Sequence, residues 1–147
     1  MGESELIIML VACFMECKGE WVIHYPMAVG AGVDVGLLEF IDEKVRLAGW
    51  KNNGLKPASM LAEFVKLGDN ENGGEKEKKN KFTCSLIFYV CGLLENNGKI
   101  SDELYLETLD VLGGGEETKL VEVVGIVGYY VFVAYTLNCF GVRPAGC

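Results

Sequence analysis

The chain of 147 residues has one histidine, three prolines and few basic side chains, and these scarcities narrow what it can do. A single histidine, His24, leaves few ligands for a protein metal centre, so a metal enzyme is the least favoured class and we expect no cofactor. Thirteen basic residues stand against 21 acidic ones, which gives a net charge of −8, and the one cationic run, 75–81, is mixed in sign. Without a basic cluster nothing neutralises phosphates, which argues against binding to nucleic acid or to an anionic membrane surface.

Cys-x-x-Cys pairs are also absent, although the chain has six cysteines. This excludes a thioredoxin-type redox motif and a zinc ribbon. Four of the cysteines lie among apolar neighbours, as reduced core cysteines do: Cys13, Cys84, Cys91 and Cys139. The apolar run 6–15 follows Glu3 and Glu5 rather than lysine or arginine, so it does not resemble a secretory signal. We therefore expect a reduced, intracellular protein located in the cytoplasm.

The longest uncharged stretch, residues 123–142, is long enough to span a bilayer. It contains three glycines and three tyrosines together with Thr136 and Asn138, and no cluster of lysine or arginine flanks it. We expect a helix that is buried on most sides, partly at a subunit interface, in preference to a membrane span.

Helical periodicity runs through the whole chain, and no segment shows sustained strand alternation. The length predicts a single domain over residues 1–147, with an all-α fold of about six helices. Helices are expected over residues 5–15, 19–30, 34–48, 57–67, 82–94, 101–113 and 116–140, with loops at 52–54 and 69–74. Ser4 and Asp34 are candidate caps, and Pro26 is expected to kink or open the second helix.

His24 lies four residues after Glu20, so in a helix the two side chains share one face, one turn apart. A carboxylate beside an imidazole fixes the tautomer of the ring and favours its protonated form, as an acid/base centre near neutral pH requires. The alternative is a histidine that caps or fills a helix surface, and the pair alone does not decide between the two.

Several motifs occur in an order that resembles a known family. Residues 19–24 read Gly-Glu-Trp-Val-Ile-His, and residues 25–33 continue as Tyr-Pro-Met-Ala-Val-Gly-Ala-Gly-Val. A polar link follows at 97–104, Asn-Gly-Lys-Ile-Ser-Asp-Glu-Leu, and a closing helix at 120–130 and 137–142. The pattern resembles the carboxymuconolactone decarboxylase-like family of the alkylhydroperoxidase D-like superfamily. The resemblance implies an all-α fold with a central helical hairpin, assembled into dimers, trimers or hexamers.

By this resemblance Glu5, Cys17, Glu20 and His24 fall on the four positions of the proton relay in the peroxidase branch. Glu20 stands where that branch has its second cysteine, so the resolving sulfur of a thiol–disulfide cycle is missing. Gly19 replaces the usual tyrosine. The sequence starts close to Glu5, so we expect the helices that precede this position in the family to be absent. Either a partner subunit closes the pocket, or the site is more open.

Residues and resemblance together favour a cofactor-free, decarboxylase-like lyase or isomerase that acts on a lactone or an aromatic polyketide-type substrate. His24 would move the proton, Glu20 and Glu5 would orient its ring, and Cys17 completes the candidate catalytic set. An apolar substrate-binding wall has four aromatic candidates: Trp21, Tyr25, Tyr129 and Tyr130. The alternatives are a thiol-dependent peroxidase centred on Cys17 and a non-catalytic oligomeric helical protein that binds a ligand. The expected partners are a small-molecule substrate and further copies of this chain.

Overall fold

All regular structure in the described part of the chain is helical, as the periodicity predicts. The computed structural model describes residues 2–46, 57–67 and 74–142. Seven α-helices lie in these ranges, one for each of the seven helical ranges predicted: α1 Gly2–Phe14, α2 Lys18–Gly30, α3 Val35–Phe40, α4 Pro57–Leu67, α5 Gly74–Glu95, α6 Asp102–Val111 and α7 Thr118–Phe140. A π-helical segment, Ile41–Arg46, continues α3 directly. The expected loops at 52–54 and 69–73, and the end of the third helix near residue 48, lie outside the described residues.

The chain divides into two compact units. The first comprises residues 1–54 with 125–147, and the second comprises residues 55–124. The single domain expected from the length stays a prediction. The predicted catalytic and substrate-binding residues all belong to the first unit.

Helix α1 is the centre of the first unit. Its residues 6–13 are all buried, because an uninterrupted apolar run must be covered on every side of a helix. The helix begins at Gly2, so Ser4 lies inside it and is not the expected cap. A Cβ at Gly2 would come within 2.9 Å of the Ala31 carbonyl oxygen, which shows how closely the start of α1 approaches the end of α2.

The turn between α1 and α2 comes earlier than expected. Glu16 adopts a left-handed φ of 51°, and the Cys17 N–H donates to the Ala12 carbonyl at 2.9 Å, which closes α1. Cys17 is therefore the N-cap residue of α2. Helix α2 begins at Lys18, one residue before the predicted start at residue 19. This turn folds α2 back along α1.

Helix α2 continues past Pro26 to Gly30, although proline removes one backbone hydrogen bond. The carbonyl that would have received this bond belongs to Val22, an exposed residue, so water can hydrate it. Asp34 caps α3 as predicted, because its Oδ1 accepts a hydrogen bond from the Leu37 N–H at 2.8 Å.

In the second unit α5 packs against α4 and α6. Helix α5 begins at Gly74, eight residues before the predicted start, because the exposed run of mixed charge at 75–81 forms its first turns. Its apolar continuation is buried, as expected for a core helix. Ser101 caps α6 by accepting a hydrogen bond from the Leu104 N–H at 3.2 Å.

Helix α7 is not buried on most sides, contrary to the expectation. It is long and apolar enough to cross a membrane by length and composition, yet only 22% of its most apolar 18-residue window is buried. Its large exposed apolar residues include Val121, Tyr129, Phe132 and Tyr135, and Cys139 is exposed rather than in a core. Asn138 is exposed as well, and its Nδ2 donates to the Met15 carbonyl oxygen at 2.9 Å. Residues 125–140 of α7, which belong to the first unit, thus leave a large apolar surface exposed.

Candidate functional site

The site is centred on His24, whose two ring nitrogens each face a glutamate. Nδ1 lies 3.0 Å from Glu5 Oε2 and makes a hydrogen bond with it, and Nε2 lies 3.4 Å from Glu20 Oε2. Glu20 is one helical turn before His24 on α2, as the spacing predicted. Glu5 comes from α1 and reaches His24 because the turn at residues 15–17 folds the two helices together. The structure therefore brings three of the predicted catalytic residues into contact.

The protonated ring suits this arrangement better than the neutral one. A neutral imidazole donates from one nitrogen and accepts at the other, whereas an imidazolium donates from both. Because a carboxylate faces each nitrogen of His24, only the protonated ring offers a donor to both Glu5 and Glu20.

His24 and Glu20 are buried, with exposed fractions of 8% and 6%. Glu20 Oε2 has no hydrogen-bond partner, although it is inaccessible to solvent. A buried carboxylate oxygen without a donor costs free energy, and such a group is a common sign of a functional site. The same oxygen faces His24 Nε2 at 3.4 Å, an ion-pair distance when the ring is protonated.

Tyr130 packs edge-on against the His24 ring, with the ring centroids 5.3 Å apart and the planes at 90°. Burial raises the pKa of the Tyr130 phenol, and the charges of Glu20 and Glu5 raise it further. The phenol is therefore a hydrogen-bond donor at neutral pH. Tyr129 packs edge-on against Tyr130 at 5.2 Å but is itself exposed, so it lies at the outer edge of the site.

Trp21 and Tyr25 form a second aromatic pair on α2. Their ring centroids are 6.3 Å apart with the planes tilted by 43°. The Arg46 guanidinium carbon lies 5.8 Å from the centre of the Trp21 ring, and Arg46 also pairs with Asp42. Sequence reasoning missed Arg46. The only signal for it was its position four residues after Asp42 on a helix, where opposite charges meet.

Cys17 lies next to the cluster, but its thiol is not activated. Burial raises its pKa, and the charge of Glu20 adds to this, while the N–H groups of Glu20 and Gly19 oppose it. Burial also raises the pKa of Cys13, to about 12. A nucleophilic thiol needs the opposite shift, because the thiolate is the reactive species. The structure thus places Cys17 near the cluster without giving it the properties of a peroxidase thiol.

We expect Cys17 and Cys13 to react with iodoacetamide at pH 8 at least about ten times more slowly than exposed Cys139 in the native protein. A raised pKa leaves less thiolate at this pH than an ordinary thiol has, and burial restricts access. Peptide mapping by mass spectrometry reads each site separately, and the difference should vanish in denaturant. Fast, selective modification of Cys17 at neutral pH would contradict this and favour the peroxidase alternative.

Two further features of the described residues bear on other functions. Within these ranges no three His, Cys, Asp or Glu side chains converge to hold a metal ion. The second unit has an open cleft of about 620 Å³ at the turn between α5 and α6. It is lined by Gly92, Glu95, Asn96, Asn97, Lys99, Ile100, Ser101 and Leu104. None of the predicted site residues belongs to this cleft.

Comparison with known proteins gives no match: no protein family, curated protein or solved structure matches this chain. The resemblance to the carboxymuconolactone decarboxylase-like family therefore stays a prediction that depends on the sequence motifs. A function for this chain has to be inferred from the geometry around His24.

Proposed function

We propose that this chain is a cofactor-free acid/base enzyme, a lyase or isomerase of the carboxymuconolactone decarboxylase-like kind. The observation that supports it best is the buried His24 ring, held between Glu5 and Glu20 with one acidic oxygen left unpartnered. The substrate class, a lactone or an aromatic polyketide-type molecule, follows from the resemblance alone. Location in the cytoplasm and assembly into a homo-oligomer are part of the same proposal.

In this proposal Glu5 orients the imidazole and His24 moves the proton. The bond from Nδ1 to Glu5 fixes the ring, so Nε2 is the nitrogen that faces the reaction. In a decarboxylation, the electrons of the breaking carbon–carbon bond form an enolate as carbon dioxide leaves. The imidazolium then donates its proton to the enolate carbon and regains one from solvent. In an isomerisation, the neutral ring removes a proton from a carbon next to a carbonyl and returns it at another carbon.

Glu20 and Tyr130 support these steps. The unpartnered oxygen of Glu20 lies 3.4 Å from Nε2, where its charge stabilises the imidazolium and where it can relay the proton. The Tyr130 phenol, kept protonated by its raised pKa, can donate a hydrogen bond to a developing enolate oxygen. Trp21 and Tyr25 would offer apolar faces to a conjugated ring.

The thiol-dependent peroxidase centred on Cys17 is less well supported. Its thiol is 2% exposed and has a raised pKa, and the residue three positions later is Glu20 rather than a resolving cysteine. A non-catalytic ligand-binding protein is the other alternative, and the carboxylates that face both nitrogens of His24 favour acid/base chemistry over it.

The experiment that tests the proposal follows a proton into product. The chain is incubated in D₂O with a panel of muconolactone-type and aromatic polyketide-type carboxylic acids, and mass spectrometry detects deuterium bound to carbon. We expect enzyme-dependent incorporation at the carbon next to a carbonyl in at least one compound. Turnover of a panel member without deuterium at carbon, or peroxide consumption that depends on Cys17, would contradict the proposed reaction.

A further inference from the structure

One face of α7 carries exposed residues at steps of three and four. Gly125, Gly128, Phe132 and Tyr135 form its centre, and Val121 and Cys139 extend it toward the two helix ends. Alternating steps of four and three place residues on one side of a helix, as at the a and d positions of a coiled coil. All six are exposed in the chain. We call this set the α7 strip.

The two central glycines of the α7 strip have no explanation within the chain. A Cβ at Gly125 or at Gly128 would meet no atom within 4 Å. Glycine inside a helix is destabilising relative to alanine, so an exposed position gains nothing from it unless another chain approaches closely. Small residues at a helix surface are what allow a second helix to pack tightly.

The midpoint of the α7 strip is at position 130. Each large central residue on one side of this position has a glycine at the same distance on the other side. When two copies of α7 are placed antiparallel with a two-fold axis at that position, Phe132 of each copy faces Gly128 of the other. Tyr135 likewise faces Gly125, and Val121 faces Cys139. A parallel pair would instead set Phe132 against its own counterpart and glycine against glycine. We propose that two copies of this chain associate through antiparallel α7 strips, an isologous contact.

The exposed area is of the size that such a contact needs. Tyr129, Phe132 and Tyr135 are between 62% and 67% exposed, which amounts to about 400 Å² for three aromatic side chains. Val121, Val124 and Val142 are also exposed and add to this area. The three aromatic side chains alone supply about half of the roughly 800 Å² that each partner contributes to a standard interface. Because residues 123–142 carry no charge, the contact buries none along this stretch.

A membrane is the other surface that could cover α7, and the structure favours it less. Away from the strip, the part of α7 in the first unit contacts that unit through Tyr130 against His24 and through Asn138 to the Met15 carbonyl. A spanning helix would have to give up both contacts. A second copy covers the strip and keeps them.

This pairing rests on the homo-oligomer of the proposed function and specifies the surface through which the copies associate. The pairing can be disproved without disproving the proposed reaction. Sedimentation velocity of the purified chain should show a dimer. Phe132→Glu should weaken self-association at least about 30-fold, as the loss of a central aromatic residue does. Leu106→Glu changes an equally exposed apolar residue on α6 and should have no effect. A monomeric wild-type chain that still turns over substrate would overturn the pairing alone.

Exchanging Gly128 and Phe132 tests whether each large residue of the strip faces a glycine of the second copy. Gly128→Phe alone should break the dimer, because it sets two phenylalanines against each other. The double variant Gly128→Phe with Phe132→Gly should restore it, because each large residue again faces a glycine. Loss of the dimer in the double variant, with its helix content retained by circular dichroism, would contradict the antiparallel contact.

An engineered disulfide between the two copies tests whether their α7 helices run antiparallel. In a Cys147→Ser background, Val121→Cys should form a disulfide with Cys139 of the second copy under mild oxidation, and the parent should form none through Cys139. A Cys139–Cys139 link in the parent would show a parallel pair and overturn the proposal. Co-flotation of the wild-type chain with vesicles of phosphatidylcholine and phosphatidylglycerol, in place of dimerisation, would assign the strip to a membrane and overturn it too.

Discussion

His24→Gln should lower the rate of deuterium incorporation into substrate by about 10² to 10⁴-fold, the contribution of one general acid/base group. Glutamine keeps a hydrogen-bond donor for the Glu5 carboxylate but cannot carry a proton to carbon. We prefer it to alanine, which would leave the carboxylates of Glu5 and Glu20 facing an empty space. The measurement is the initial rate in D₂O at equal protein concentration, with circular dichroism as the check on folding.

The matched control for this variant is Ser85→Ala. Ser85 is as buried as His24, and its Oγ has no hydrogen-bond partner, but it belongs to the second unit. This variant should retain the wild-type rate. A folded His24→Gln protein with full activity would remove His24 from the mechanism.

Glu20→Gln should separate activity from stability. We expect the rate to fall about 10²-fold, because the charge that stabilises the imidazolium is lost. The free energy of unfolding should stay the same or rise by about 1–2 kcal/mol, because a buried carboxylate oxygen without a partner is replaced by a neutral amide. Urea unfolding followed by circular dichroism measures the second quantity on the same samples.

A structural role for Glu20 gives the opposite pattern. If the carboxylate mainly held α2 in place, Glu20→Gln would lower the free energy of unfolding and leave the rate close to that of the wild-type protein. A stability gain at the cost of activity is characteristic of a group kept for function.

Much of the fold follows from local sequence signals. The N-caps at Asp34 and Ser101 are visible in the sequence, and so is the apolar face of α5. The pairing of Glu20 with His24 also depends only on their spacing within one helix. Each of these features depends only on residues that are close together in the sequence.

Other features depend on tertiary structure, which local patterns do not specify. Glu5 contacts His24 across 19 residues because Glu16 takes a left-handed conformation and turns the chain between α1 and α2. The helical pattern of the sequence placed Glu5 in the first turn of a helix. Only the resemblance to the carboxymuconolactone decarboxylase-like family connected Glu5 with His24. Arg46 likewise contacts Trp21, although the two residues are far apart in the sequence. No residue near Trp21 in the sequence predicts this contact.

The exposure of α7 could not be predicted for a different reason. An apolar stretch shows that a helix must be covered, but it does not show whether the same chain, a second copy or a lipid covers it. Residues 123–142 therefore suggested a buried helix, whereas most of that surface is open in the single chain. Cys139 was predicted to lie in a core because its neighbours in the sequence are apolar. It is exposed, because it lies on the exposed part of α7.

The proposed chemistry depends on one imidazole fixed between two acids inside the protein, and because His24 is the single histidine, this can be measured directly. The ring nitrogens of ¹⁵N-histidine-labelled chain, purified without a histidine tag, give one set of signals by nuclear magnetic resonance. We predict a protonated Nδ1 whose hydrogen exchanges slowly with water and whose signal moves in Glu5→Gln. Signals averaged between the two tautomers, with fast exchange and no response to Glu5→Gln, would contradict the account.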